Sequence, residues 1–145
     1  PFFTDLKKDY ANFEKWYDKN YWECDDETMG LDKDILIKGN RLYSPNTCVV
    51  VPTNINLLFL KSNKSRGNLP IGVRTMGKKF QARCSIDNNA KVLGIFKTIN
   101  EAFDCYKTFK ESYIKQVADQ YASKYPNFPQ KLYDAMYSYE VEITD

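Results

Sequence analysis

The chain has 145 residues, is 43% hydrophobic and 15% aromatic, and carries a formal net charge of +2; this supports one domain, or two small ones sharing a core, and excludes a disordered polymer. No apolar run reaches the length of a bilayer crossing and no signal-peptide pattern opens the chain, so a membrane-spanning protein is not expected. The charge is unevenly spread: residues 1–34 hold ten acidic and five basic side chains, residues 35–97 eleven basic against Asp87 alone, and residues 98–145 eight acidic and five basic.

A basic centre between acidic flanks is the footprint of a polyanion-binding surface, which makes nucleic acid the leading partner. The four cysteines, Cys24, Cys48, Cys84 and Cys105, form no CxxC pair, and the chain has no histidine to complete a zinc site. Reduced, largely buried thiols are expected, which suits a cytoplasmic protein. The chain opens at Pro1 without Met, which leaves room for residues upstream.

Along the chain, Leu6, Tyr10, Phe13, Trp16, Tyr17 and Tyr21 follow helical spacing, so one amphipathic helix is expected over 4–21, capped by Thr4 or Asp5. The acidic run CDDETMG reads as a loop. A strand is expected over Asp32–Ile37, a turn at Gly39-Asn40 and a short buried strand over Cys48–Val51. Pro52 and Thr53 then start a helix that runs to Leu60. Residues 61–70, KSNKSRGNLP, read as a basic linker in which Lys61, Lys64 and Arg66 are candidates for phosphate contact.

The second half predicts three antiparallel strands, Ile71–Thr75, Lys79–Ile86 and Lys91–Phe96, joined by turns at Met76-Gly77-Lys78 and Asp87-Asn88-Asn89. Thr98-Ile99-Asn100-Glu101 is a capping box for a long amphipathic helix that Pro126 ends. A further short helix is expected over Pro129–Tyr139, and a terminal strand over Glu140–Thr144. The fold class is therefore α+β: an N-terminal helix and a ββα unit over 1–60, the linker 61–70, a sheet-on-helix domain over 71–125, and the segment 126–145.

Period two places Phe80, Ala82, Cys84 and Ile86 against Tyr106 and Phe109 on the helix, and turns Lys79, Gln81, Arg83 and Ser85 outward, with Arg74 beside them. Arginine pairs bidentately with guanine and glutamine with adenine, so this face holds groups suited to base edges, while Lys78 and Lys91 at the rim suit phosphates.

The pattern GVR…GKKFQAR…LGIFKTINEAFDCY, Gly72 to Tyr106, resembles the AP-two/ERF-type DNA-binding domain known from plant transcription factors and phage nucleases. That resemblance implies a sheet lying in the major groove of double-stranded DNA. It covers about a quarter of the chain, and the plant domains carry more Arg and Trp where Ser85 and Val92 stand here.

Leu31 to Leu60 resembles the ββα-metal (HNH) unit of phage homing endonucleases. There, a strand ends in Asp-His, a helix bears Asn, and a divalent cation such as Mg²⁺ is held between them while His activates water. The resemblance assigns Asp32 and Asn56 as metal ligands and puts Lys33 in the place of the base. Phage proteins that join both modules also share a WY…NY helix and a VEITD-like tail, matched by Trp16-Tyr17, Asn20-Tyr21 and Val141–Asp145. With no histidine to act as base, and with Lys33 flanked by the carboxylates Asp32 and Asp34, the nuclease core is expected to be inactive. Asp32 and Asp34 with Asn40, Asn54 and Asn56 remain oxygen donors for a divalent cation. The expectation is a duplex-DNA-binding protein of phage homing-endonuclease type. The alternatives are a metal-dependent nicking endonuclease and a phage protein-interaction module of inhibitor type.

Overall fold

The computed structural model describes residues 6–61 and 66–145. The architecture is α+β, with helices α1 (Leu6–Asn20), α2 (Thr53–Leu58), α3 (Ile99–Lys124) and α4 (Gln130–Ser138) and strands β1 (Met29–Asp32), β2 (Val49–Pro52), β3 (Val73–Met76), β4 (Lys79–Ile86) and β5 (Asn89–Phe96). The expected cap at Thr4 or Asp5 lies outside the described residues. No helix among the described residues is long and apolar enough to cross a membrane.

Two compact units form, residues 1–60 with 117–138, and residues 61–116 with 139–145. This division differs from the expected one: α3 changes unit at residue 117, and the last twenty residues split between the two.

In the first unit β1 and β2 pair antiparallel, Met29 with Pro52 through Asp32 with Val49. The first strand therefore ends at Asp32, where the sequence pattern would begin it. The loop before it supplies only Met29 and Gly30 to the ladder, and residues 33–38 bend away because the Asp32 carboxylate binds the backbone that follows. Val49, Val50, Val51 and Ile55 are fully buried with Leu132 and Met136 of α4. Pro52 stands at the N-terminus of α2, where a missing N–H costs nothing. The indole N–H of Trp22 donates to Val50 O (2.6 Å), and Tyr121 Oη donates to the Glu27 carboxylate (2.7 and 2.8 Å). Phe13, Trp16 and Tyr17 on α1 and Tyr21 just after it form the expected aromatic run, with ring centroids 5.5–6.4 Å apart, and its two ends, Tyr10 and Tyr21, are exposed.

In the second unit β3, β4 and β5 form an antiparallel meander, ordered β3-β4-β5. Its two hairpin turns each have two residues. Gly77 (φ 61°) opens the first as a single left-handed residue, and Asp87 (φ 50°) and Asn88 (φ 65°) make the second, a left-handed pair that matches strand twist. One face of the sheet packs on α3: Val73, Ala82 and Cys84 meet Ala102, Phe103 and Tyr106, flanked by Phe80, Leu93, Phe96 and Phe109. Burial pushes the Cys84 thiol above its usual range, as befits a packing group rather than a nucleophile. At the start of α3, Thr98 Oγ1 accepts the Glu101 N–H (3.2 Å), the cap expected from the sequence.

The tail is not a strand. Val141 N–H donates to Glu111 Oε1 (3.0 Å) and Val141 O accepts from Lys107 Nζ (2.9 Å), so two α3 side chains satisfy the backbone groups that a neighbouring strand would have paired.

Gly72 is the tightest point of this unit. Its φ of 78° disfavours any side chain, and a Cβ there would stand 2.1 Å from the ring carbons of Tyr106. Replacing Gly72 by Ala is expected to destabilise the protein by about 3 kcal/mol, from left-handed strain plus overpacking. Urea unfolding followed at the tyrosine and tryptophan fluorescence measures it; a loss below about 0.5 kcal/mol, within the range of ordinary surface changes, would show that the ring is free to move aside.

Candidate nucleic-acid interface

The outer face of the second unit's sheet is set by register. Arg74 lies opposite Gln81, which lies opposite Ile95, so these three form one row across the sheet; Arg83 lies opposite Val92 in the next. Lys79 and Ser85 extend the face along β4 and are exposed, as is Arg74. No residue of β3, β4 or β5 is acidic.

The period-two prediction for β4 holds as to face but not as to exposure. Gln81 is 9% exposed, and its amide donates to Met76 Sδ (3.5 Å). The central strand is shielded from both sides by Arg74 and Ile95, which the sequence alone does not show. Sulfur is a weak acceptor, so the amide can leave it for a stronger one at little cost. Arg83 is partly covered, and its Nε is buried without a hydrogen-bond partner.

Lys91 requires a correction. It pairs with Cys84, which faces α3, and its ammonium stands 5.4 Å from the centroid of the Phe109 ring. It therefore belongs to the helix side of the sheet, where a cation–π contact holds it, rather than to a rim facing phosphate. Lys78 remains exposed in the first turn. Of the linker cations, Lys61 Nζ is paired with Asp145 Oδ1 (3.0 Å) and Arg66 donates to Asp145 O (2.6 Å), so both already have acceptors in the tail; Lys64 lies outside the described residues.

Periodicity does not reveal three further residues of this face. Met76 (49% exposed), Val92 (51%) and Ile95 (49%) stand in the open among the basic groups; of these only Val92 is reached from the sequence, through the resemblance. Simple alternation puts Val92 and Ile95 on opposite faces. A bulge changes this: Ala82 pairs with Gly94 but Arg83 with Val92, so Leu93 is the extra residue, and it turns into the core. Gly94 is the available signal, since glycine inside a strand often marks a bulge.

In the first unit the β1-β2-α2 order is present, but its candidate chemistry is differently employed. Asp32 is 8% exposed, and its Oδ2 accepts the backbone N–H groups of Asp34 (2.8 Å) and Ile35 (2.7 Å). Burial pushes the Asp32 carboxyl above the usual carboxylate range, against the lowering effect of those two amides. Lys33 Nζ lies 5.2 Å from the centroid of the Tyr43 ring, and Lys33 O accepts from Asn40 Nδ2 (2.7 Å), so its backbone is held in the turn and its ammonium lies over an aromatic ring. Asn56 is exposed on α2. Among the described residues no group of three or more His, Cys, Asp or Glu side chains gathers around a point that a metal ion could take. Of the two ligands that the nuclease resemblance assigns, Asp32 has its Oδ2 engaged by backbone amides and Asn56 stands exposed.

No protein-family model, curated protein or solved structure matches the chain.

The Asp32 geometry gives a direct expectation. Asp32→Ala leaves two turn amides without their charged acceptor and lowers stability by about 2 kcal/mol, whereas Asp32→Asn, which keeps an oxygen in place, costs less than half as much. Chemical denaturation of the two variants checks this, and equal losses would remove the carboxylate's capping role.

Proposed function

We propose that the protein binds double-stranded DNA, with the outer face of the β3–β5 sheet in the major groove. The observation that carries this reading is the face itself: Arg74, Lys79 and Arg83 project from a three-stranded surface without one acidic strand residue, in the segment where eleven cations meet one anion. Three strands set about 4.8 Å apart span about 10 Å between their outer backbones, which matches a major groove about 12 Å wide and exceeds a minor groove of about 6 Å.

Along β4, alternate residues advance about 6.7 Å, close to two base-pair steps of about 3.4 Å, so Lys79, Gln81, Arg83 and Ser85 sample the groove at regular intervals. Arg83 is the second arginine of the face, and a base edge or phosphate would supply acceptors to the part of its guanidinium that is not buried. Lys78 and Lys79, beside the first turn, reach the phosphate backbone and supply the salt-dependent part of the affinity.

A second reading, metal-dependent nicking of the same duplex, has the β1-β2-α2 order in its favour and the capping role of Asp32 against it.

Fluorescence anisotropy with labelled duplex tests the first reading. Arg74→Ala and Arg83→Ala should each weaken binding by about tenfold, in line with roughly 1–3 kcal/mol for a good base contact. Lys78→Ala and Lys79→Ala should each flatten the plot of log affinity against log salt by about one unit. Unchanged affinity in both arginine variants would take the sheet out of the mechanism. In parallel, supercoiled plasmid with Mg²⁺, Mn²⁺ or EDTA decides the second reading: a shift that vanishes on deproteinisation marks a binder, and a metal-dependent nicked circle marks an enzyme.

A further inference from the structure

Three apolar side chains stand exposed among the basic and hydrogen-bonding groups of this face: Met76, whose sulfur accepts from the Gln81 amide, and the branched pair Val92 and Ile95. Val92 and Ile95 are each about half exposed and belong to the edge strand β5. Each closes a row that begins with a polar reader: Arg74 and Gln81 precede Ile95, and Arg83 precedes Val92. The bulge at Leu93 is what turns both outward. Exposed branched side chains gain nothing from water, and neither belongs to the core cluster of this unit.

The major groove offers such groups one apolar partner, the 5-methyl of thymine, which the minor groove does not display. We infer that Val92 and Ile95 are the thymine-reading residues of this surface, so that the protein selects sites with thymines beneath β5 and discriminates DNA from RNA by that methyl group. The charge complementarity of the surrounding face commits it to a polyanion, and the two rows, one ladder step pair apart, place the methyl contacts about two base pairs from each other. An RNA duplex is disfavoured twice, because uracil lacks the methyl and the A-form major groove is too deep and narrow to admit the sheet.

This inference rests on the duplex-binding reading above, and the experiment separates the two. The protein selects its preferred duplex from a random pool, and that sequence is resynthesised with deoxyuridine in place of thymidine. Wild-type protein is expected to bind the uracil duplex about three- to fourfold more weakly for each methyl group removed from beneath β5, or about tenfold for two. A Val92→Ala, Ile95→Ala double variant is expected to bind both duplexes alike, at the wild-type protein's affinity for the uracil form. Equal wild-type affinity for the two duplexes, or a selected site without thymine, overturns the inference and leaves duplex binding intact. A double variant that keeps the thymine preference shows that other residues read the methyl, and also overturns it. If that variant does not fold, the single variants Val92→Ala and Ile95→Ala take its place, each expected to lose the preference at one thymine, and a preference unchanged in both overturns the inference. Failure of wild-type protein to bind any duplex at low salt defeats the function reading itself.

Discussion

The ring of Tyr106 occupies the space that a side chain at residue 72 would need, and the seating of the sheet on α3 depends on this contact. Gly72 stands just before β3, and its carbonyl accepts the Arg83 N–H (2.8 Å) in the middle of β4. A single close approach therefore ties the helix, the first strand and the central strand at one level. Val73, Ala82 and Cys84 then fall inward by alternation, and Arg74 and Arg83 fall outward as the necessary complement. The outward chemistry is fixed from within: the orientation of the basic face follows from which residues the helix accepts.

Much of this is legible in the residues. The turn glycine and the Asp87-Asn88 pair set two hairpins of fixed length, the Thr98 side-chain cap sets the start of α3, and alternation in β4 sets the faces. The features that are not legible share a physical cause: they depend on neighbours distant in sequence. Gln81 reads as exposed until strands on both sides cover it, and Lys91 reads as a rim cation until Phe109 comes within range. Glu140–Thr144 reads as a strand until the side chains of Lys107 and Glu111 take the hydrogen bonds that a partner strand would have made. Lys61 and Arg66 read as free until Asp145 meets them.

The β1-β2-α2 unit shows how one residue type serves two ends. A carboxylate at the end of a strand is what a metal site requires, and it is also a good acceptor for the amides of the turn that follows. Asp32 does the second, with Oδ2 shared between Asp34 and Ile35. Spacing along the chain does not distinguish these uses, because both need an acid at a strand end. The difference lies in what stands opposite the carboxylate, and here it is the chain's own backbone.

The bulge in β5 divides that strand into two phases. Residues 94–96 keep one correspondence with β4, and residues 89–92 keep another displaced by a single position, with Leu93 between them. A deletion at the turn end would re-phase only the short stretch as far as Leu93, and the half that carries Ile95 would keep its partners. A one-residue deletion near the Asp87-Asn88 turn is thereby buffered from the half of the strand that follows Leu93. The strand behaves as two independently editable words with a spacer between them, so its outward spelling is free to change at one end while the other stays constant.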